Sequence, residues 1–260
     1  MRPFLAILLA TVLAAPAWAP AWAQSEQQQV VDRATLAAQE MVNDRDGKDA
    51  QGVLKRARAV MICPQIFRAG FLLGGQGGTC VLVARDGGGS WSSPAFYGLG
   101  GGSIGFQAGI QDAQVMFFIM NDKGLTAVMD SQFKLGADAS ATFVDMGGGV
   151  EGATTAALRA DIVGFTRARG LFAGISLGGS LMSVKSDWNQ AYYGQPLAAQ
   201  QIVVQMQASN PAADSLREVL MRYGSQAEAA ARPALPAPVP LSPAPSGTVQ
   251  RQSLPPPPRR

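Results

Sequence analysis

Glycine clusters recur between residues 70 and 179 and interrupt segments that otherwise resemble β-strands. Glycine weakens a strand interior because it loses more backbone entropy on folding than other residues and has no side chain to pack. A chain that keeps many strand glycines therefore needs bulges, sharp bends or close backbone approach at those places. The clusters stand in the runs GFLLGGQGGTCVLV, GLGGGSIGFQAGIQ, VDMGGGVEG and GLFAGISLGGS.

The segments around these glycines have strand-like patterns and are joined by short turns. Residues 103–111 and 133–144 alternate apolar with polar or small side chains, which is the period of a half-buried strand. Residues 114–120 are apolar on both faces, as in a central strand. We therefore predict an α+β fold: a strongly curved, antiparallel, barrel-like sheet with packing helices at the N- and C-terminal ends. Further strands are predicted at 59–62, 79–84, 159–167 and 171–184, and further helices at 122–130, 196–204 and 211–223.

Two helices are predicted before the sheet. Residues 25–43 repeat apolar side chains at helical spacing and begin with Ser25 and Gln28 in capping-box order. Residues 50–58 form a second, short helix. It ends in three basic residues, here called the basic cluster: Lys55, Arg56 and Arg58. An amphipathic helix with basic residues nearby is compatible with an anionic bilayer surface, and also with an ordinary packing helix whose charged end is solvated.

Composition divides the chain into four parts. Residues 1–23 combine a basic residue, an apolar run and a small-residue cleavage sequence, so we expect a signal peptide that is removed on export. Residues 24–208 form the folded domain, and residues 209–224 form a C-terminal helix. Residues 225–260 are rich in Ala and Pro, and we expect a disordered tail with polyproline character. The mature protein is then expected in the periplasm or associated with the cell envelope.

The residue inventory restricts the chemistry. The chain contains no histidine, so histidine-based triads and histidine metal ligands are excluded. The carboxylates fit neither a hydrolase signature nor a calcium loop, and Asp138 is interpreted as a solvated or capping group. The GxG fragments lack the strand–turn–helix order of a phosphate site. A formal net charge of +3 gives no argument for nucleic acid. We assign no catalytic residue, metal or cofactor.

Cys63 and Cys80 are the two cysteines of the chain. Export would place them in an oxidising compartment, where a disulfide between them is compatible with the sequence. Both also lie in apolar runs, so two buried, unpaired thiols are equally compatible. The sequence leaves this choice open.

The chain from about Asp49 to Gly194 resembles the SYLF domain family, also known as the Las17-binding or actin-patch type. The residues that carry the resemblance follow in the order AVMICPQIFRAGFLLGGQGGTCVLV, WSSPAFYGLGGGSIGFQAG, FKLGADAS, FTRARGLFAGISLGGS and YYG. The resemblance implies phospholipid binding and no enzymatic activity, with phosphoinositide and actin-related roles in eukaryotic members. It also implies lipid contact through a basic amphipathic N-terminal segment, which corresponds here to the basic cluster.

Residues and resemblance together predict a non-enzymatic phospholipid-binding protein of a bacterial cell envelope. The basic cluster would meet lipid phosphates, and the apolar face of the neighbouring helix would enter the membrane interface. The alternative is an envelope structural or protein-interaction module that acts through the Pro-rich tail or a sheet surface. No nucleic-acid partner is expected.

Overall fold

The computed structural model describes residues 25–43, 47–70, 73–104, 109–146, 160–170, 177 and 179–225, and the structural statements below concern these residues. All of them fall in the first of two compact units of the chain, Met1–Ser225. The predicted signal peptide and all but the first residue of the predicted Pro-rich tail lie outside the described residues, as does the first part of the strand predicted at 171–184.

Six helices and eight strands follow one another along the described chain. The helices are α1 (Glu26–Asn43), α2 (Gly47–Leu54), α3 (Asp122–Met129), α4 (Ser186–Tyr193), α5 (Ala199–Val203) and α6 (Asp214–Gly224), the last preceded by a 3-10 turn (Pro211–Ala213). The strands are β1 (Ala59–Gly70), β2 (Leu73–Ala84), β3 (Ala95–Ile104), β4 (Gly109–Ile119), β5 (Gln132–Lys134), β6 (Ala141–Asp145), β7 (Ile162–Gly170) and β8 (Leu181–Val184). The predicted cap of α1 is present, because the backbone N–H of Gln28 donates to Ser25 Oγ at 3.2 Å.

The strands form one sheet in the order β5-β8-β3-β2-β1-β4-β7-β6. The sheet is strongly curled into a half-barrel with helices at both ends of the chain, which confirms the predicted α+β fold. One pair departs from the antiparallel expectation: β6 runs parallel to β7. The connection through residues 146–161 is long enough for the crossover that a parallel pair requires.

Both faces of the central strands are buried, because β1 and β4 carry apolar side chains on both sides. On one face, here called the α1 face, side chains such as Ile62 and Phe118 pack with α1, α2 and α6. On the opposite face, here called the α3 face, Met61 and Phe117 pack with α3 and α5. Each such side chain contributes about 1.5–3 kcal/mol by its removal from water. The helices thus cover the part of the sheet near the start of β1.

A bulge in β1 lies between Ile62 and Gln65, where the register against β2 shifts by one residue. The structure joins Cys63, at this bulge, to Cys80 of β2 in a disulfide, and both cysteines are fully buried. Pro64 lacks a backbone N–H, and a bulge is one of the few places where a sheet accepts it. After the bulge the alternation of faces is inverted, so that odd-numbered residues of β1 point to the α1 face.

Two predicted strands are wrong in extent. Residues 133–144, predicted as one strand, belong to β5 and β6 with a turn at Gly136 between them. The φ of Gly136 is +83°, a left-handed value that glycine adopts without steric cost. Asp138 accepts a hydrogen bond from the backbone N–H of Lys134 in this turn, so it is a capping carboxylate. Residues 103–111, also predicted as one strand, belong to the end of β3 and the start of β4.

Candidate functional site

The basic cluster lies in the connection between α2 and β1. The prediction that it belongs to a helix over residues 50–58 is wrong, because α2 ends at Leu54. Lys55 and Arg56 occupy the turn that follows, and Arg58 directly precedes β1. Arg56 is exposed, Lys55 is half-buried, and the side chain of Arg58 is 56% exposed. The three cations therefore project from a turn at the start of β1.

Arg58 forms an ion pair with Asp122 at the beginning of α3, with 2.9 Å between Nη2 and Oδ1. Both side chains are mostly exposed, so water and salt screen their attraction, and such pairs contribute about 0–1 kcal/mol. The backbone N–H of Arg58 also donates to the carbonyl of Ile119 at 2.8 Å. The backbone at Arg58 is thus fixed, while its guanidinium can exchange Asp122 for another anion at little cost.

Arg85 fixes the backbone of this connection by hydrogen bonds to three carbonyl groups. Its Nη1 donates to the carbonyl of Lys55 at 3.0 Å, and its Nη2 donates to the carbonyls of Leu54 at 3.1 Å and Gly224 at 2.9 Å. The guanidinium carbon also lies 4.6 Å from the centre of the Trp91 ring. A cation at two helix C-termini complements their dipoles, and desolvation lowers the pKa of Arg85 from its usual value. Arg85 therefore positions the turn that carries the basic cluster.

The apolar face of α1 packs into the domain core. Val31, Ala34, Ala38 and Met41 are fully buried, and the large apolar residue on the outer side of the helix is Leu36, at 60% exposure. The helix beside the basic cluster is α2, and its apolar residues Ala50 and Leu54 are buried in the same core. The expected entry of that helix's apolar face into a membrane interface therefore does not agree with the structure. Two polar contacts also fix α1: Tyr192 Oη donates to Gln28 Oε1 at 3.0 Å, and Gln28 Nε2 donates to the carbonyl of Ala212 at 2.9 Å.

Asp161 is a nearly buried carboxylate that accepts several hydrogen bonds. Its side chain is 9% exposed and accepts hydrogen bonds from Asn121 Nδ2, Lys123 Nζ, and the N–H and Oγ of Ser140, at 2.8–3.0 Å. These donors, Asn121 first, hold its pKa well below the usual range. Because four donors occupy its oxygens, Asp161 joins the ends of β4, β6 and β7 and is not placed to act as a general base.

Other signs of a metal or membrane-spanning site are not found in the described part of the chain. No three cysteine or acidic side chains there approach closely enough to hold a metal ion. None of the helices described above has both the length and the hydropathy to cross a membrane.

Comparison with known proteins relates part of this chain to one family. Residues 100–223 match the Ysc84 family, described as "Las17-binding protein actin regulator". The human "SH3 domain-containing YSC84-like protein 1" is 28% identical over 191 residues, which cover 72% of this chain and 56% of the human protein. In Saccharomyces cerevisiae, "Protein YSC84" is 29% identical and "LAS seventeen-binding protein 3" is 31% identical, each over 171 residues. These matches cover 65% of this chain and 36% and 37% of the two yeast proteins.

The chain thus spans little more than half of the human relative and less than half of the yeast relatives. No solved structure gives a significant match. The fold places the protein in the class of α+β domains built on one curled sheet, with an apolar core on each face of the sheet and a basic turn at the start of β1. The matches then point to a family: residues 100–223 match the Ysc84 family model, which confirms the predicted resemblance to the SYLF domain.

Proposed function

We propose that this protein is a non-enzymatic, phospholipid-binding protein of the cell envelope that associates with anionic membrane surfaces. The observation that carries the proposal is the basic cluster in the turn after α2. Arg56 and Arg58 face solvent there, and Arg85 fixes the backbone of the turn by hydrogen bonds to the carbonyls of Leu54 and Lys55. The localisation rests on the predicted signal peptide. The names of the relatives describe binding and regulatory proteins, which supports a non-enzymatic role.

The proposed contact is electrostatic. Because the apolar face of α1 is buried, the cluster would meet lipid phosphates from the surface, without insertion of that helix. Arginine suits this role since its planar guanidinium forms paired, charge-assisted hydrogen bonds with phosphate. Each basic residue near an anionic membrane surface contributes about 1 kcal/mol. The two exposed arginines would then contribute about 2 kcal/mol, a factor of roughly 30 in affinity.

Vesicle co-sedimentation of the mature protein tests the proposal. The double variant Arg56→Ala/Arg58→Ala should bind anionic vesicles roughly 30-fold more weakly, and adding Lys55→Ala should weaken binding further. The matched control is Arg33→Ala/Arg222→Ala, which removes two exposed arginines elsewhere on the domain and changes the net charge equally. An equal loss in both double variants would show that net charge, and not the basic cluster, determines binding.

A protein-interaction role is the second candidate, and one observation favours it. The name of one yeast relative, "LAS seventeen-binding protein 3", and the family description both refer to binding of another protein, Las17. Removal of residues 226–260 separates the two candidates. Vesicle binding should survive this truncation, whereas capture of a protein partner through the Pro-rich tail should be lost.

A further inference from the structure

A row of residues crosses five strands on the α1 face, beyond the area that the helices cover. Phe67 lies opposite Gly77, Gly77 opposite Gly100, Gly100 opposite Leu181, and Leu181 opposite Lys134. Residues directly opposite each other in a sheet project from the same face. Phe67 is 50% exposed and Leu181 is 44% exposed, so two large apolar side chains stand on either side of two glycines.

The neighbouring rows continue this arrangement. Gly75 lies opposite Gly102 in one row, and Gly98 lies opposite Thr79 in the other. Strands β2 and β3 therefore form a floor with little side-chain cover, and the side chains of Phe67 and Leu181 flank it. We call this surface the glycine trough; it comprises Phe67, Gly75, Gly77, Gly98, Gly100, Gly102, Leu181, Ser183 and Lys134.

Packing inside the domain does not require the glycines of the floor. A Cβ atom at Gly100 would meet nothing within 4 Å, and one at Gly77 or Gly98 would have its nearest neighbour at an ordinary 3.6 Å. Gly78 differs, because it lies on the α3 face and its Cβ would approach the carbonyl oxygen of Gln65 to 2.5 Å. Strand glycines mark bulges, bends or places where another group approaches the backbone closely, and these glycines leave space on the outer surface for such an approach.

The trough has the size and chemistry of a site for an apolar ligand. Phe67 and Leu181 are three strand spacings apart, roughly 14 Å, and Gly98 to Gly102 measures roughly 13 Å along the strand. An open cavity of about 680 Å³ lies over the half formed by β3 and β8, within the range of small-molecule sites. Because β2 pairs with β1 and β3, and β3 pairs with β8 over residues 97–100, most peptide groups of the floor are hydrogen-bonded within the sheet. The floor therefore favours hydrocarbon over a polar ligand.

We propose that the glycine trough binds a single fatty acyl chain whose anionic head group lies at Lys134. Lys134 is exposed, lies beside Leu181 in the row, and lines the cavity, so its ammonium can pair with a carboxylate at the trough rim. The acyl chain would lie against Gly77 and Gly100, where any larger residue would displace it. This site is separate from the basic cluster, since Arg58 precedes β1 and Phe67 lies nine residues further along the chain, roughly 30 Å along an extended strand.

Binding of cis-parinaric acid tests this proposal in solution, without vesicles and below the micelle concentration of the fatty acid. The mature protein should give a saturable rise in fluorescence, which dodecanoate should reverse. Gly100→Val fills the trough without a clash and should weaken binding at least tenfold, while circular dichroism remains unchanged. Gly52→Val is the matched control, because Gly52 in α2 is equally free of neighbours and should leave binding unchanged. Lys134→Ala should weaken competition by dodecanoate more than competition by uncharged dodecanol.

The proposal is wrong if the wild-type protein gives no saturable signal, or if folded Gly100→Val binds like the wild type. It is also wrong if Gly100→Val converts a dimer to a monomer in sedimentation analysis without any fatty-acid signal, because the occupant is then a second copy of the chain. The vesicle proposal can fail separately. Arg56→Ala/Arg58→Ala should retain fatty-acid binding, and Gly100→Val should retain the salt-sensitive vesicle binding.

Discussion

Replacing Asp161 by Asn removes a negative charge from a nearly buried side chain that accepts four hydrogen bonds. The side-chain NH2 of the new Asn is a donor, and it would replace an oxygen that accepts hydrogen bonds. In one orientation it would face Asn121 Nδ2, and in the other it would face the donors of Ser140 and Lys123. Asn121 cannot simply rotate to accommodate it, because its Oδ1 accepts from the N–H of Gly124 and caps α3. The substitution therefore leaves at least one buried donor unpaired.

The expected loss of stability can be worked out from these contacts. A hydrogen bond to a charged group contributes about 1.5–3 kcal/mol, and an unpaired buried donor costs about 1–3 kcal/mol. The ion pair with Lys123 adds less than about 1 kcal/mol, since that lysine is 71% exposed. We expect Asp161→Asn to lower the free energy of unfolding by about 3 kcal/mol in urea denaturation. Lys123→Ala is the matched control and should lower it by no more than about 1 kcal/mol.

The effect depends on pH in a defined direction. The pKa of Asp161 is lower in the folded protein than in the unfolded chain, so its carboxylate stabilises the fold fully above the usual aspartate pKa. This contribution is lost as the pH falls through the unfolded and then the folded pKa. The stability difference between wild type and Asp161→Asn should shrink by about 1 kcal/mol between pH 7 and pH 3. A difference that is below 1 kcal/mol at pH 7, or that stays constant down to pH 3, would refute the reasoning.

Three further predictions concern the stability of the fold in urea denaturation. Gly78→Ala should cost about 2 kcal/mol because its Cβ would clash with a backbone carbonyl. Gly100→Ala should be neutral or stabilise the fold by about 0.5 kcal/mol, because its Cβ would meet no neighbour. Similar costs at both positions would contradict the assigned packing. Arg85→Lys should cost at least 1 kcal/mol, since one ammonium cannot reach two helix ends, and an unchanged midpoint would count against this role of Arg85. The pair Cys63→Ser/Cys80→Ser should cost about 3 kcal/mol for a separation of 17 residues, and a reductant should destabilise the wild type but not this variant.

The periodicity of the sequence was sufficient to predict the α+β fold and its curved sheet. Residues 114–120 read as a central strand, and β4 is indeed apolar on both faces. The end of α2 could not be predicted, because Lys55 and Arg56 are good helix formers and continue the helical pattern. The turn that they form depends on Arg85, which lies 30 residues from Lys55 in sequence and donates a hydrogen bond to the Lys55 carbonyl.

Contacts with residues distant in sequence also decide what individual residues do, and the local sequence does not show those contacts. Gly78 and Gly100 are both strand glycines, but their faces and neighbours follow from the register of three strands and from the bulge in β1. The role of Asp161 is not visible in the local sequence, because its donors Asn121 and Ser140 lie 40 and 21 residues away. The basic cluster was recognisable from sequence, whereas the burial of the α1 apolar face required the packed core.

The central claim is that the basic cluster brings this domain to an anionic membrane surface. The most direct test is co-sedimentation of the protein without residues 1–23 with vesicles of anionic or neutral phospholipid, at low and high salt. The variants Arg56→Ala/Arg58→Ala and Arg33→Ala/Arg222→Ala are measured beside it. We expect binding to anionic vesicles at low salt, weakened by salt and by loss of Arg56 and Arg58, but much less by loss of Arg33 and Arg222. Failure of the wild-type protein to sediment with anionic vesicles at low salt would contradict it.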